Sequence, residues 1–179
     1  EMVTLAGRTG AGKSTIFKLI LGDYEPWAGT VRVWGVDAAQ LAPQARRRFV
    51  GHVDQAFRAV PGTVADQITL GDPSISREEM AQAAQLAGIG AALEALPQGY
   101  DTPYAEGLLS QGQTQLLSIA RAVAANPKLL LLDEITANLD SSTEQQVMEA
   151  LRRASQNRAV LSISHRLYEQ SGQGRIVQI

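Results

Sequence analysis

Apolar residues along this chain fall into two kinds of run, short unbroken blocks and longer stretches with helical spacing. Met2 to Ala6, Phe49 to Val53, Leu129 to Leu132, Ala159 to Ile163 and Arg175 to Ile179 are the short blocks, and they predict strands. Thr30 to Trp34 alternates Val31 and Val33 with Thr30 and Arg32, which predicts a half-exposed strand. Helical spacing marks Lys13 to Leu21, where Ile16, Phe17, Leu19, Ile20 and Leu21 suit a helix buried on most sides. It also marks Thr63 to Leu70, Arg77 to Ala87, Ala91 to Leu96, Ser110 to Ala125 and Ser141 to Ala154. The Arg77 helix starts from Ser76 as a cap with Glu79 three residues on, and the last buries Val147, Met148, Ala150, Leu151 and Ala154. Gly22, Gly88, Gly90 and Asn126-Pro127 supply the breaks.

Unbroken apolar strands alternating with helices imply an α/β fold, a parallel sheet covered on both faces. The stretch 63–127 is largely helical and lacks a comparable strand. It reads as a helical subdomain inserted into a single domain whose α/β core is 1–62 and 128–179.

Composition removes several classes of function. At 179 residues the chain suffices for one domain with a sizeable core. The net charge of −2 argues against bulk electrostatic binding to nucleic acid. With no cysteine and 2 histidines, thiol catalysis, zinc-thiolate sites and histidine-rich metal sites are excluded. No apolar run approaches the roughly 20 residues needed to span a bilayer. Glu1 is not an initiator methionine, and the first strand is already under way there, so the chain is read as a piece of a longer one. Arg46, Arg47 and Arg48 are expected on a solvated helix face, and Tyr24, Trp27 and Trp34 in loop and strand packing.

Gly7-Arg8-Thr9-Gly10-Ala11-Gly12-Lys13-Ser14-Thr15 matches G-x-x-x-x-G-K-[ST] between a strand and a helix, the context a phosphate-binding loop requires. The glycines let backbone amides close around phosphate oxygens, and the helix start adds partial positive charge. Lys13 supplies a full charge, and the Ser14 hydroxyl can ligate Mg²⁺. Leu129 to Leu132 delivers Asp133 and Glu134 at its C-terminal end, the edge where open parallel sheets bind ligands. Asp133 suits Mg²⁺, and Glu134, one residue on, suits polarising a water. Leu109-Ser110-Gln111-Gly112-Gln113 is a second helix start fit for an anion, with Ser110 as cap and Gly112 allowing close approach. Taken alone, it is equally an ordinary capped helix.

Together these motifs resemble the nucleotide-binding domain of ABC (ATP-binding cassette) transporters, along the whole chain. Gly7 to Thr15 is similar to the family's Walker A motif, Gln55 to its Q-loop glutamine, and Leu109 to Gln113 to its signature motif. Leu129 to Glu134 is similar to Walker B, Ala137 to Asp140 to the D-loop, and His165 to the switch histidine. The resemblance implies a P-loop NTPase core with the helical subdomain and part of an antiparallel β element. It implies ATP and Mg²⁺ as ligands and two such domains packed head to tail, each ATP held between Walker A of one and the signature of the other.

Catalysis then falls to Glu134, His165, Gln55 and Lys13. Nucleotide binding falls to residues 7–15 with Ser110, Gly112, Gln113 and Asp140, and the metal to Ser14, Gln55 and Asp133. The implied partners are a transmembrane domain and a second nucleotide-binding domain, at the cytoplasmic face of the membrane, with no nucleic acid. Departures from the pattern are Gln111, Asp54, Asn138 and the spacing of Tyr104 to Gly107. The resemblance also expects an adenine-stacking aromatic upstream and a hairpin and helix beyond Ile179, so weaker nucleotide binding is expected of this piece. Gly62 to Gly71 resembles exporter-type domains. The alternatives are a soluble ABC ATPase of DNA repair or translation and a P-loop kinase, against which the signature motif and Glu134 count.

Overall fold

In the computed structural model, which describes residues 1–133, 139–163 and 174–179, five strands form one sheet in the order β4-β5-β6-β1-β7. These are β1 (Met2–Ala6), β4 (Val50–Val53), β5 (Leu129–Leu132), β6 (Ala159–Ser162) and β7 (Arg175–Gln178), and every pairing is parallel. β5 shows why its sequence is four leucines. Leu130 and Leu132 point to one face, into a cluster with α6 (Gln111–Val123) and α7 (Ser141–Ala154). Leu131 points to the other face, beside Leu5 and Phe17. All three are fully buried, each contributing roughly 1.5–3 kcal/mol.

The first helix, α1 (Lys13–Ile20), differs from the expectation of burial on most sides. Phe17 is its one buried residue, because the helix lies on the sheet by a single face. The strand expected at Thr30 to Trp34 shrinks to β2 (Arg32–Val33), paired antiparallel with β3 (Val36–Asp37). The two residues between them, Trp34 and Gly35, have φ of 49° and 81°, the twist a two-residue hairpin demands. Tyr24, Trp27 and Trp34 do not pack as expected. Each is exposed, Trp27 fully, and Tyr24 sits beneath the Lys18 ammonium at 4.9 Å.

The predicted helices of the middle segment form as α3 (Val64–Thr69), α4 (Arg77–Leu86) and α5 (Gly90–Glu94); α3 and α4 rest on α6, and α5 on α4. Capping boxes start three of them, Thr63 with Asp66, Ser76 with Glu79, and Ser110 with Gln113. α6 also lies on β4, where Gly51 makes the contact possible: a Cβ there would stand 2.3 Å from the Ala122 carbonyl oxygen.

Like β3, the helix α2 (Pro43–Arg47) was not predicted; it starts on a proline at N1 without a side-chain cap. It overturns the reading of its arginines as a solvated face. Arg47 is mostly buried and donates to the carbonyls of Thr69, Ile68 and Arg121, with the Asp72 carboxylate at 3.9 Å. Arg48 donates to Ser74 O at 2.9 Å, and Arg46 to Leu41 O at 2.8 Å. Open carbonyls at the end of α3 recruit Arg47, which ties that helix to α2 beside the edge of the sheet. Among the described residues, no helix is long and apolar enough to cross a membrane.

Candidate functional site

β1 runs into the loop Gly7 to Gly12, and the loop into α1. Gly10 and Gly12 have φ of 85° and 95°, a conformation side chains rarely adopt, and the space a Cβ would occupy at each is open. Gly7 sits close: a Cβ there would be 3.0 Å from Ile179 O and 3.2 Å from Ala11 Cβ. The loop is closed by its own lysine. Lys13 Nζ donates to Gly7 O at 2.8 Å and Arg8 O at 3.0 Å, and Ala11 N–H donates to Arg8 O at 3.1 Å. The ammonium is thus already stationed over the loop, bonded to groups that a polyphosphate oxygen can replace.

A cavity of about 340 Å³ opens beside it. Thr9, Gly10, Gly12, Lys13, Ser14 and Thr15 line one side, and Gln55, Asp133 and Ile163 line the other. Asp133 reaches this place because β4 and β5 end side by side, with its N–H donating to Val53 O at 3.1 Å. The donor set fits a nucleotide polyphosphate with a hard divalent cation. It offers a cationic amine, a helix start and a glycine cradle for anions, and a hydroxyl, an amide and a carboxylate for the cation.

Gln55 also belongs to a larger hollow of about 700 Å³, lined by Phe57, Tyr104, Leu109 and Gln115 among others. The smaller cavity holds the glycine loop and Lys13; the larger one is a groove on the neighbouring surface. Gln115 Nε2 donates to Gln55 O at 3.4 Å across the groove floor.

The other predicted residues lie elsewhere. Ser110, Gly112 and Gln113 begin α6 and are not among the residues lining the phosphate cavity. Ser110 Oγ accepts from Gln113 N–H, and Gln113 Oε1 accepts from Ser110 N–H at 3.0 Å. A Cβ on Gly112 would stand 2.3 Å from Thr143 Cγ2, so the glycine also lets the starts of α6 and α7 touch.

Asp140 is the N-cap of α7. Its carboxylate accepts from Ser142 and Thr143, through both backbone and hydroxyl, at 2.6 to 3.1 Å. Those bonds, Thr143 foremost, hold it well below the usual carboxylate range. Asp-Ser-Ser-Thr before a helix is a capping signal that the sequence reading passed over. Glu134, Ala137, Asn138 and His165 lie outside the described residues.

Also not anticipated is His52, half-buried next to this site against Phe17, ring to ring at 5.9 Å. Burial pushes its imidazole below the ordinary value, opposed by the nearby Asp54, Asp133 and Asp23 carboxylates.

Comparison with known proteins gives one answer. The family model for the ABC transporter matches residues 1–137. The mitochondrial ATP-binding cassette sub-family B member 10 of Mus musculus is 42% identical over 93% of this chain, which spans 24% of that protein. The α-hemolysin translocation ATP-binding protein HlyB of Escherichia coli is 37% identical over 99% of the chain, spanning 25% of HlyB. A bacterial Atm1-family ABC exporter with ATP bound superposes with a TM-score of 0.80 at 37% identity, covering 99% of this chain and 32% of that one. The chain therefore spans 24 to 32% of the length of these three proteins. With the fold, the phosphate loop and these matches in agreement, the chain belongs to the ABC transporter family and corresponds to the ATP-binding domain of its exporters.

Proposed function

We propose that this chain binds Mg·ATP and hydrolyses it as one of two nucleotide-binding domains that close head to tail beneath a transmembrane domain. The observation that carries the reading is the phosphate cavity, where Lys13 and the glycine loop face Gln55 and Asp133. ATP supplies the phosphoanhydride bond, and Mg²⁺ neutralises charge on its oxygens.

In this reading Lys13 gives up its two carbonyls for the β- and γ-phosphate oxygens, with the amides of residues 10–14 around them. Asp133, Ser14 Oγ and Gln55 hold the cation. Glu134 accepts a proton from the attacking water, and His165 attends the γ-phosphate. Both assignments rest on the family resemblance. Ser110, Gly112 and Gln113 serve the phosphates of the opposite copy, and Asp140 lies at that interface. The separation of α6's start from the chain's own cavity supports this division of labour.

The larger groove beside Gln55 takes the membrane domain, so an occupant there bears directly on a residue of the phosphate cavity. The working units are residues 1–62 with 128–179, and 63–127. The protein then acts at the cytoplasmic face of a membrane, exporting a substrate selected by its membrane domain.

The test is Glu134→Gln in the parent chain that carries the membrane domain. Phosphate release should fall by at least 100-fold while ATP drives a stable closed dimer, read by size-exclusion chromatography. Unchanged phosphate release would remove Glu134 as the base, and a phosphorylated small-molecule product would replace the hydrolase reading with a kinase.

A further inference from the structure

β4 and β5 end together, and their last in-register pair is Val53 with Leu132. Side chains alternate along a strand, so His52 and Asp54 leave β4 on the face opposite Val53. On β5, Leu131 and Asp133 leave on one face, and Leu131 shares an apolar cluster with Phe17, the ring that His52 meets. The three polar side chains therefore gather on the α1 side of the sheet. One ligand atom from each of His52, Asp54 and Asp133 lies within 4.8 Å of the other two.

A second observation concerns the imidazole itself. His52 Nε2 is sealed from solvent and has no hydrogen-bond partner among the described residues, where buried polar atoms ordinarily have one. Neither His52 nor Asp54 lines the phosphate cavity, so phosphate binding does not account for them.

We propose that His52, Asp54 and Asp133 form a binding site for a divalent transition-metal ion of the Zn²⁺, Co²⁺ or Ni²⁺ class. The donor set decides the class. Mg²⁺ takes oxygen ligands in near-ideal octahedral geometry. One imidazole with two carboxylates suits zinc and its neighbours, and three protein ligands leave a fourth position open. Bonds of roughly 2.1 Å place tetrahedral ligand atoms about 3.4 Å apart, so the cluster must contract on binding. Both aspartates are only half-buried.

Asp133 is shared, and this gives the site a consequence that rests on the ATPase reading. A transition metal held there takes the carboxylate that Mg·ATP needs, and the two ions compete.

The test uses this chain directly. Zn²⁺ is titrated calorimetrically, and Co²⁺ is followed by its visible absorption, in wild type, His52→Asn and Asp54→Asn. Each substitution should weaken Zn²⁺ binding at least tenfold and lower the Co²⁺ absorption. Mg·ATP affinity, measured separately with a fluorescent analogue, should hold in both variants and fall in wild type when Zn²⁺ is added. Because His52 packs against the core residue Phe17, Asp54→Asn carries the test should His52→Asn unfold. Unchanged Zn²⁺ affinity in the folded variants, or no Zn²⁺ binding in wild type, overturns the site. Zn²⁺ binding as expected without any Mg·ATP binding leaves the site standing and removes the ATPase reading.

Discussion

Gly112 provides a quantitative test of how the signature helix is seated. Replacing it by alanine puts a methyl group 2.3 Å from Thr143 Cγ2, where carbon atoms prefer about 3.5–4.0 Å. Two escapes exist. The start of α6 can move by more than an ångström against α7, at an overpacking cost of about 1–3 kcal/mol. Alternatively Thr143 can rotate, giving up its 2.6 Å hydroxyl bond to the Asp140 carboxylate. Against either stands the helical advantage of alanine over glycine, at most about 1 kcal/mol and smaller in a first turn. The net expectation for Gly112→Ala is a loss of about 1–2 kcal/mol, a melting temperature lower by about 2–8 °C in a domain of this size.

Thr143→Ser removes the methyl and keeps the hydroxyl that bonds Asp140. In that background Gly112→Ala should become neutral or stabilising by a few tenths of a kcal/mol. Thermal and urea melts of the four proteins give the coupling energy, expected to exceed about 1 kcal/mol. Effects that add within about 0.5 kcal/mol, or a melting temperature raised by Gly112→Ala alone, would refute the contact.

Three further outcomes follow from geometry already described. Lys13→Ala should weaken Mg·ATP binding at least tenfold, about 1.4 kcal/mol, in equilibrium titration; retained affinity would deny the ammonium its place over the phosphates. Arg47→Met strands the carbonyls of Ile68, Thr69 and Arg121 and leaves Asp72 without its arginine, so stability should drop by about 2–4 kcal/mol in urea unfolding. A loss under 0.5 kcal/mol would return Arg47 to the solvated face. Acid should unfold the chain progressively, because Asp66, Asp72, Glu79 and Asp140 are all held low by hydrogen bonds from Thr63, Ser74, Ser76 and Thr143. A depressed folded value gives stability that is complete above the ordinary carboxylate range, near pH 4, and is lost as pH falls below it. Asp140→Asn should flatten part of that decline in melting temperature, and an unaltered profile would deny Asp140 its share.

The regular parts of this fold were legible because their sequence patterns are local. Four consecutive leucines in β5 state a strand covered on both faces. The apolar set of α7 matches its buried face residue for residue. The phosphate loop was legible because its glycines and lysine are adjacent in sequence. Long-range contacts hid the rest. Nothing near Arg47 signals that carbonyls at 68, 69 and 121 will surround it. Trp34 in a left-handed conformation opposes its own preference, so the β2–β3 turn escaped. Gly112 was read for a ligand, and its contact with Thr143 needed α7 folded alongside. His52 and Asp54 gained a neighbour in Asp133 only when β5 lay next to β4.

Gln55 stands in the wall between the phosphate cavity and the larger groove. A residue that lines both makes the two hollows thermodynamic neighbours. On the proposal that Gln55 holds the cation, whatever presses on it from the groove alters the affinity of the cavity by some factor. Reciprocity then requires the cavity's occupant to alter grip in the groove by that same factor. A measurement on either side therefore gives the strength of the linkage on both.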